Sequence, residues 1–269
     1  MHLKRWITAI IGCPALIYLV WSEKGWPFYA LLCAAAIVGL FEFYNMTVPG
    51  VSRFVIWANL TITSLIFFVF GMGKPFIIDP IILISLWGIV PLAYYMLFHP
   101  APDPTRTGDL GRIILGPIYI CLPLIMMVII STRPNGKLWI LFLLTLVFAN
   151  DTGAFYFGRI FGRHKLYEAV SPKKTWEGSF GGVLTSLAAA MVFLIVFSFH
   201  KIGLGTLILV LVLAAAAQIG DLAESYLKRN HNVKDSGTIL PGHGGILDRI
   251  DALLFTTPLL YAFLSWGMG

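Results

Sequence analysis

A chain of 269 residues that is 58% hydrophobic and only 12% charged, with a mean hydropathy of +0.84, is far from the roughly one-quarter charged composition of a soluble domain. This composition excludes a water-soluble enzyme and predicts an all-α, polytopic transmembrane helix bundle. At roughly 20 apolar residues per crossing the length accommodates about nine spans, and the formal net charge of +6 matters chiefly through where the lysines and arginines fall.

Hydrophobic runs bounded by glycine, proline and charged clusters predict spans near 6–21, 28–47, 54–71, 76–98, 112–131, 137–150, 180–199, 204–226 and 250–266. The whole of 1–269 reads as one integral membrane domain, with polar loops at 151–179 and 227–249. Lys4 and Arg5 before the first run imitate a signal peptide, and Ile11-Gly12-Cys13 hints at a lipoprotein cleavage box. The apolar stretch nevertheless continues past Cys13 with no small-x-small site, so it is read as a span. Cys13, Cys33 and Cys121 all lie in apolar segments without metal-ligand spacing and are read as core filler. Pro14, Pro117 and Pro123 fall within spans and are expected to kink helices.

Lysine and arginine accumulate on the cytoplasmic side of membrane proteins. With the N-terminus inside, fourteen of the nineteen fall in cytoplasmic segments, and only Lys24, Lys74, Arg133, Lys137 and Lys201 lie opposite. The C-terminus is then outside, and both polar loops face the cytoplasm of a cell inner (plasma) membrane.

The first polar loop holds Arg159, Arg163, His164 and Lys165, then "SPKKTWEGSFGG" from Ser171 to Gly182. Ser171-Pro172 is a candidate helix start. Lys173 and Lys174 beside amides freed by Gly178, Gly181 and Gly182 would bind phosphate. Lysines are also placed there by the positive-inside tendency alone, and a surface drawn to anionic lipid headgroups would look the same.

The penultimate span ends in "QIGDLAESYLKR", where Asp221, Glu224, Ser225 and Lys228 recur at i, i+3, i+4 and i+7 and so share one helical face. A charged side chain held in hydrocarbon costs about 2.5–3.5 kcal/mol on insertion scales, so such residues face a watery cavity or a partner. An ion pair of Asp221 or Glu224 with Lys228, or a helix end already at the interface, would account for the stripe as well. The last span opens with Asp248 and Asp251, where acidic side chains suit a helix's first turn. Three carboxylates at adjacent ends of two consecutive helices would repel one another without a cation. Oxygen donors of this kind suit Mg2+, which binds one or two carboxylates together with phosphates and water, and no Cys or His cluster competes for zinc.

The stretch "SYLKRNHNVKDSGTILPGHGGILDRID", residues 225–251, resembles the signature of the phosphatidate cytidylyltransferase (CDP-diglyceride synthase) family: S-x-x-K-R, four residues, K-D, then P-G-H-G-G-x-x-D-R-x-D. "NDTGAFYFGRIFGRHKLYEAVSPKKTWEGSFGG", from Asn150 to Gly182, is similar to the family as well, and no motif position departs from it. The resemblance implies that the CMP moiety of CTP passes to phosphatidic acid, giving CDP-diacylglycerol and pyrophosphate. It implies Asp221 and Asp248 as ligands of a divalent metal ion, read here as Mg2+ or else Mn2+, and leaves open whether a second, monovalent ion joins them. It implies a catalytic set of Lys228, Arg229, Lys234, Asp235, His243, Arg249 and Asp251, in which His243 either fixes the glycine-rich turn or donates to a phosphate. Substrate contacts are implied at Asn150, Asp151, Ser171, Lys173, Lys174, Glu177, Ser225, Gly244 and Gly245. Partners on this reading are CTP, phosphatidic acid and membrane lipid, with no nucleic acid and a homodimer as a compatible assembly.

Two other classes compete. A related CTP-dependent enzyme acting on an isoprenoid glycerol phosphate would carry the same residues. A cation transporter would bury acidic groups too, but would not need Lys173, Lys174, Lys228, Arg229 and Lys234 beside them. The D-G-x-x-A-R run expected of a CDP-alcohol phosphatidyltransferase is absent from the sequence.

Overall fold

The computed structural model describes residues 12, 14–71, 80–98, 103–239 and 244–267. Among them the chain is helical apart from one small β-ribbon. A helical segment over 14–21 precedes α1 (Trp26–Thr47), α2 (Arg53–Gly71), α3 (Pro80–Phe98) and α4 (Pro104–Gly116). A π-helical turn, Pro117–Cys121, leads into α5 (Leu122–Ser131), followed by α6 (Gly136–Phe161), strands β1 (Lys165–Tyr167) and β2 (Ser171–Thr175), α7 (Trp176–Phe197), α8 (Leu204–Asn230) and α9 (Leu247–Trp266).

Seven helical stretches among the described residues are long and apolar enough to cross a bilayer, with α4, the π turn and α5 counting as one. The protein is thus an integral membrane protein of helical type. Side chains such as Ile81, Leu204 and Val196 are 72%, 75% and 68% exposed, which suits contact with lipid rather than water. Of the predicted span 6–21, residues 6–11 and 13 lie outside the described residues, and 14–21 are helical. The helix α9 is long enough to cross at 1.5 Å per residue, but Asp248, Arg249 and Asp251 in its first turns make it too polar to count among the seven.

The chain divides into two compact units, Met1–Ile129 with Asp235–Leu247, and Ile130–Lys234 with Asp248–Gly269. The first unit packs Leu40, Phe43 and Tyr44 of α1 with Ile66 of α2, Trp87 of α3 and Ile113 of α4, all essentially buried. The Tyr44 hydroxyl donates to the Ile113 carbonyl at 2.8 Å, satisfying a polar group that burial would otherwise penalise. Pro117 does not end the helix. The ladder widens instead, with the Leu122 amide donating to the Pro117 carbonyl across five residues. Thr63 donates to the sulfur of buried Cys121 at 3.7 Å, in keeping with a core cysteine.

The second unit is built on α6 and α7. Gly178 and Gly182, four apart on α7, let the two backbones approach so closely that a Cβ on Gly178 would stand 2.8 Å from the Ala154 carbonyl oxygen. Thr185 and Ser186 of α7 then donate to the Ala149 and Leu146 carbonyls of α6 at 2.9 and 3.2 Å. Two boundaries differ from the sequence expectation. The helix predicted to stop at 150 runs on to Phe161, because the polar residues after it leave the backbone ladder intact until Gly162 turns extended. Ser171-Pro172 does not start a helix. It begins β2, which pairs antiparallel with β1, and α7 starts at Trp176 with Thr175 as its N-cap. The Gly178 amide is taken by the Thr175 hydroxyl at 3.1 Å, so the glycines serve close packing here rather than offering free amides to phosphate.

Candidate active site

The helix α8 delivers the acidic stripe as the spacing predicts, and the partners described next lie in the second unit. Lys174, from β2, places its Nζ 2.6 Å from Asp221 Oδ2, and Ser225 donates to Asp221 Oδ1 at 3.4 Å. One turn on, the Lys228 ammonium donates at 2.6 Å both to Glu224 Oε2 and to Asp248 Oδ1 of α9. The side chains of Glu224, Asp248 and Lys228 are only 1%, 7% and 13% exposed, so one ammonium sits between two carboxylates largely out of water. Glu224 Oε1 has no hydrogen-bond partner among the described residues. Removing one member of such a group costs far more than the group contributes to stability, since the remaining charge is then left buried.

Close approach of α8 and α9 depends on Gly220, next to Asp221. A Cβ there would lie 2.6 Å from the Asp251 carbonyl oxygen and 3.1 Å from the Ala252 Cα. The negative charges of Asp151, Asp221 and Asp251 act on one another, opposed by Lys174, Lys228 and Arg249.

A cavity of about 540 Å3 opens between α6, α7, α8 and the β-ribbon, within the size range of small-molecule sites. Asn150, Asp151, Lys173, Lys174 and Asp221 line it, together with Gln218. Asn150 donates to the Ala214 carbonyl at 2.8 Å and accepts from Gln218 Nε2 at 3.1 Å, while Gln218 also donates to the Ser179 carbonyl at 2.9 Å and receives the Ser179 hydroxyl. Three helices are thereby pinned beneath the cavity.

The remaining expected site residues are dispersed. Glu177 braces the ribbon, accepting from the Arg163 and His164 amides and approaching His164 Nδ1 at 2.6 Å. Ser171 pairs with Tyr167 across the ribbon. Arg229 donates from Nε to the Val170 carbonyl at 3.3 Å. Lys234 and Asp235 are exposed, as is Arg249, and His243 lies outside the described residues. Gly244 holds a φ of 77°, which only glycine adopts readily, and Gly245 lies against Glu42 and Ser236 of the first unit.

Sequence reasoning missed Gln218, which sits one turn before the stripe. It also missed Glu42 on α1, whose signal was a carboxylate inside an apolar run of 22 residues.

The fold and the cavity define a helical membrane protein in which carboxylates and lysines gather at one site. Residues 3–266 match the profile of the Cytidylyltransferase family. The chain is 35% identical over 269 residues to a phosphatidate cytidylyltransferase of Staphylococcus epidermidis, covering 97% of this chain and 98% of that one. It is 33% identical over 271 residues to a phosphatidate cytidylyltransferase of Bacillus subtilis, covering 97% of each. A Staphylococcus saprophyticus phosphatidate cytidylyltransferase reaches 47% over 138 residues, about half of each chain. The chain belongs to the cytidylyltransferase family.

Proposed function

We propose that the protein is a phosphatidate cytidylyltransferase that forms CDP-diacylglycerol at a site opening to the cytoplasm. A phosphate oxygen of phosphatidic acid attacks the α-phosphorus of CTP in line, a new P–O bond forms, and the bond to the β-phosphate breaks to release pyrophosphate. The observation that carries this reading is the cavity in which Lys173, Lys174 and Asp221 converge, in a chain matched by the family over nearly its full length.

The attacking phosphate is already an anion at neutral pH, so the protein needs no strong base. It must hold two anionic substrates together and offset the charge on the leaving pyrophosphate. On this reading Lys173 and Lys174, which line the cavity, meet the triphosphate, and the Asn150–Gln218–Ser179 clasp backs the cavity wall.

The donor chemistry fits a hard divalent cation. Asp221 and Asp248, with Asp151 and Asp251 nearby in charge, offer only oxygen ligands, and lysine ammoniums already sit where positive charge is wanted. Among the described residues no group of three or more His, Cys, Asp or Glu could hold an ion alone. Mg2+ ordinarily takes one or two carboxylates and completes its shell with phosphate and water. When bound at Asp221 and Asp248, Mg2+ or Mn2+ supplies charge neutralisation at phosphate oxygens, and a second, monovalent ion is compatible with the surplus of carboxylates. Lys174 and Lys228 would then exchange a carboxylate for a phosphate as the substrates arrive.

In topology we assign nine crossings, with 6–21 and α9 completing the seven, the N-terminus cytoplasmic and the C-terminus outside. Purified protein in vesicles should release pyrophosphate from CTP only when phosphatidate and Mg2+ are both present, with the labelled cytidylyl group recovered in the lipid phase. Pyrophosphate release without phosphatidate, or ion flux with no liponucleotide formed, would overturn the reading.

A further inference from the structure

Glu42 stands in the last third of α1, an apolar helix, and is 3% exposed. Its donors among the described residues are neutral and come from the signature segment some two hundred positions later. The Ile246 amide donates to Oε1 at 3.2 Å, the Leu247 amide to Oε2 at 3.0 Å, and the Ser236 hydroxyl to Oε2 at 3.4 Å. Gly237 and Gly245 close around the same carboxylate, and a Cβ on Gly245 would stand 2.5 Å from Glu42 Oε2.

The geometry is that of a helix N-cap supplied by another helix. The first amides of a helix have no partner within it, and Leu247 is the first residue of α9. A carboxylate at that end is favoured both by hydrogen bonding and by the helix dipole. Leu247 immediately precedes Asp248, so whatever fixes the Ile246 and Leu247 amides fixes the backbone from which Asp248 projects.

We infer that Glu42 is a positioning residue, clamping Ser236, Ile246 and Leu247 at the start of α9 so that Asp248 is aimed for metal. The inference rests on the reading of Asp248 as a metal-binding residue. It explains why residues 236, 237 and 245 are small: each leaves room for the carboxylate head. It also assigns a purpose to an otherwise costly buried acid. Outer residues that orient metal ligands typically affect metal affinity about 10–100-fold.

Glu42→Gln keeps the size but turns one acceptor into a donor facing donors. We expect its Mg2+ requirement for activity to rise about tenfold, with kcat at saturating Mg2+ falling less. In metal-free protein, the Ile246 and Leu247 amides should exchange hydrogen faster than in the wild type. Asp248→Asn supplies the second arm, and the double variant should show no further rise in the Mg2+ requirement beyond that of Asp248→Asn. A Glu42→Gln protein with a lowered Tm but an unchanged Mg2+ requirement, or with unchanged exchange at 246–247, overturns the inference alone. An unchanged Mg2+ requirement in Asp248→Asn overturns both this inference and the metal reading beneath it. Should Glu42→Gln fail to accumulate in membranes, Ser236→Ala carries the test: it removes one donor and keeps the carboxylate. The same changes in smaller degree are expected, and no change in either readout counts against the clamp.

Discussion

At the scale of single residues, Asp221 and Asp248 meet the same demand in different settings. Asp221 is half-exposed on the cavity wall beside Lys174, and Asp248 is nearly buried against Lys228. Asn in place of either keeps size and much of the hydrogen bonding, and Glu224 still faces the Lys228 ammonium when Asp248 is replaced, so a merely structural role should show as lost stability with activity per folded molecule retained. We expect Asp221→Asn to reach membranes at near-normal levels and Asp248→Asn, which unbalances Lys228, at reduced levels, and each to lose activity per folded molecule about 100-fold or more, with partial recovery at raised Mg2+ or Mn2+. Asp109→Asn is the control. Its exposed ion pair with Arg112, at 2.9 Å and three residues apart, should contribute under about 1 kcal/mol. Near-normal turnover of both motif variants at low Mg2+ would return the carboxylates to a structural role. The stripe Asp221, Glu224, Ser225 and Lys228 was legible because helical spacing alone puts those residues on one face. Which lysine meets which carboxylate was not, since Lys174 arrives from a β-strand and Asp248 from another helix.

At the scale of elements, the site depends on how closely two helices can lie. Gly220 faces the backbone of α9 at Asp251 and Ala252. An added methyl must push α8 and α9 apart, which as overpacking should cost about 1–3 kcal/mol of stability. Because the helices carry Asp221 and Asp251 at the same level, Gly220→Ala should also lower kcat about 10–100-fold, the cost of misplacing reacting groups by about 1 Å. Thermal unfolding in detergent and steady-state kinetics check the two effects separately, and a variant with normal kcat would show that the spacing is not critical. Helix positions were legible from hydropathy, but their ends were not. The end of α6 reads as loop because it is polar, although a polar helix end at a membrane surface loses nothing by staying helical. The β-ribbon was concealed because Ser171-Pro172 serves a strand start as well as a helix start, and only the Thr175 hydroxyl on the Gly178 amide decides between them.

At the scale of the whole molecule, composition alone gave the membrane class, and charge asymmetry gave a sidedness that can be tested directly. Ala169 is exposed in the turn between β1 and β2, close to the cavity-lining Lys173 and Lys174 in the chain. In a background without the three native cysteines, Ala169→Cys should react with a membrane-impermeant thiol reagent in inside-out vesicles only. Labelling in sealed right-side-out vesicles would place the ribbon, and with it the nucleotide site, on the wrong side for cytoplasmic CTP.

The clamp at Glu42 also has a consequence for biogenesis. Its donors lie 194 to 205 positions downstream, and ribosomes add about 5–20 residues per second. For roughly 10–40 s of synthesis on that scale, α1 has been made while the groups that satisfy its acid have not. During that interval the helix carries a charge that lipid alone would penalise, so the insertion machinery, or water held beside the nascent helix, must shelter it until the last segment emerges from the ribosome.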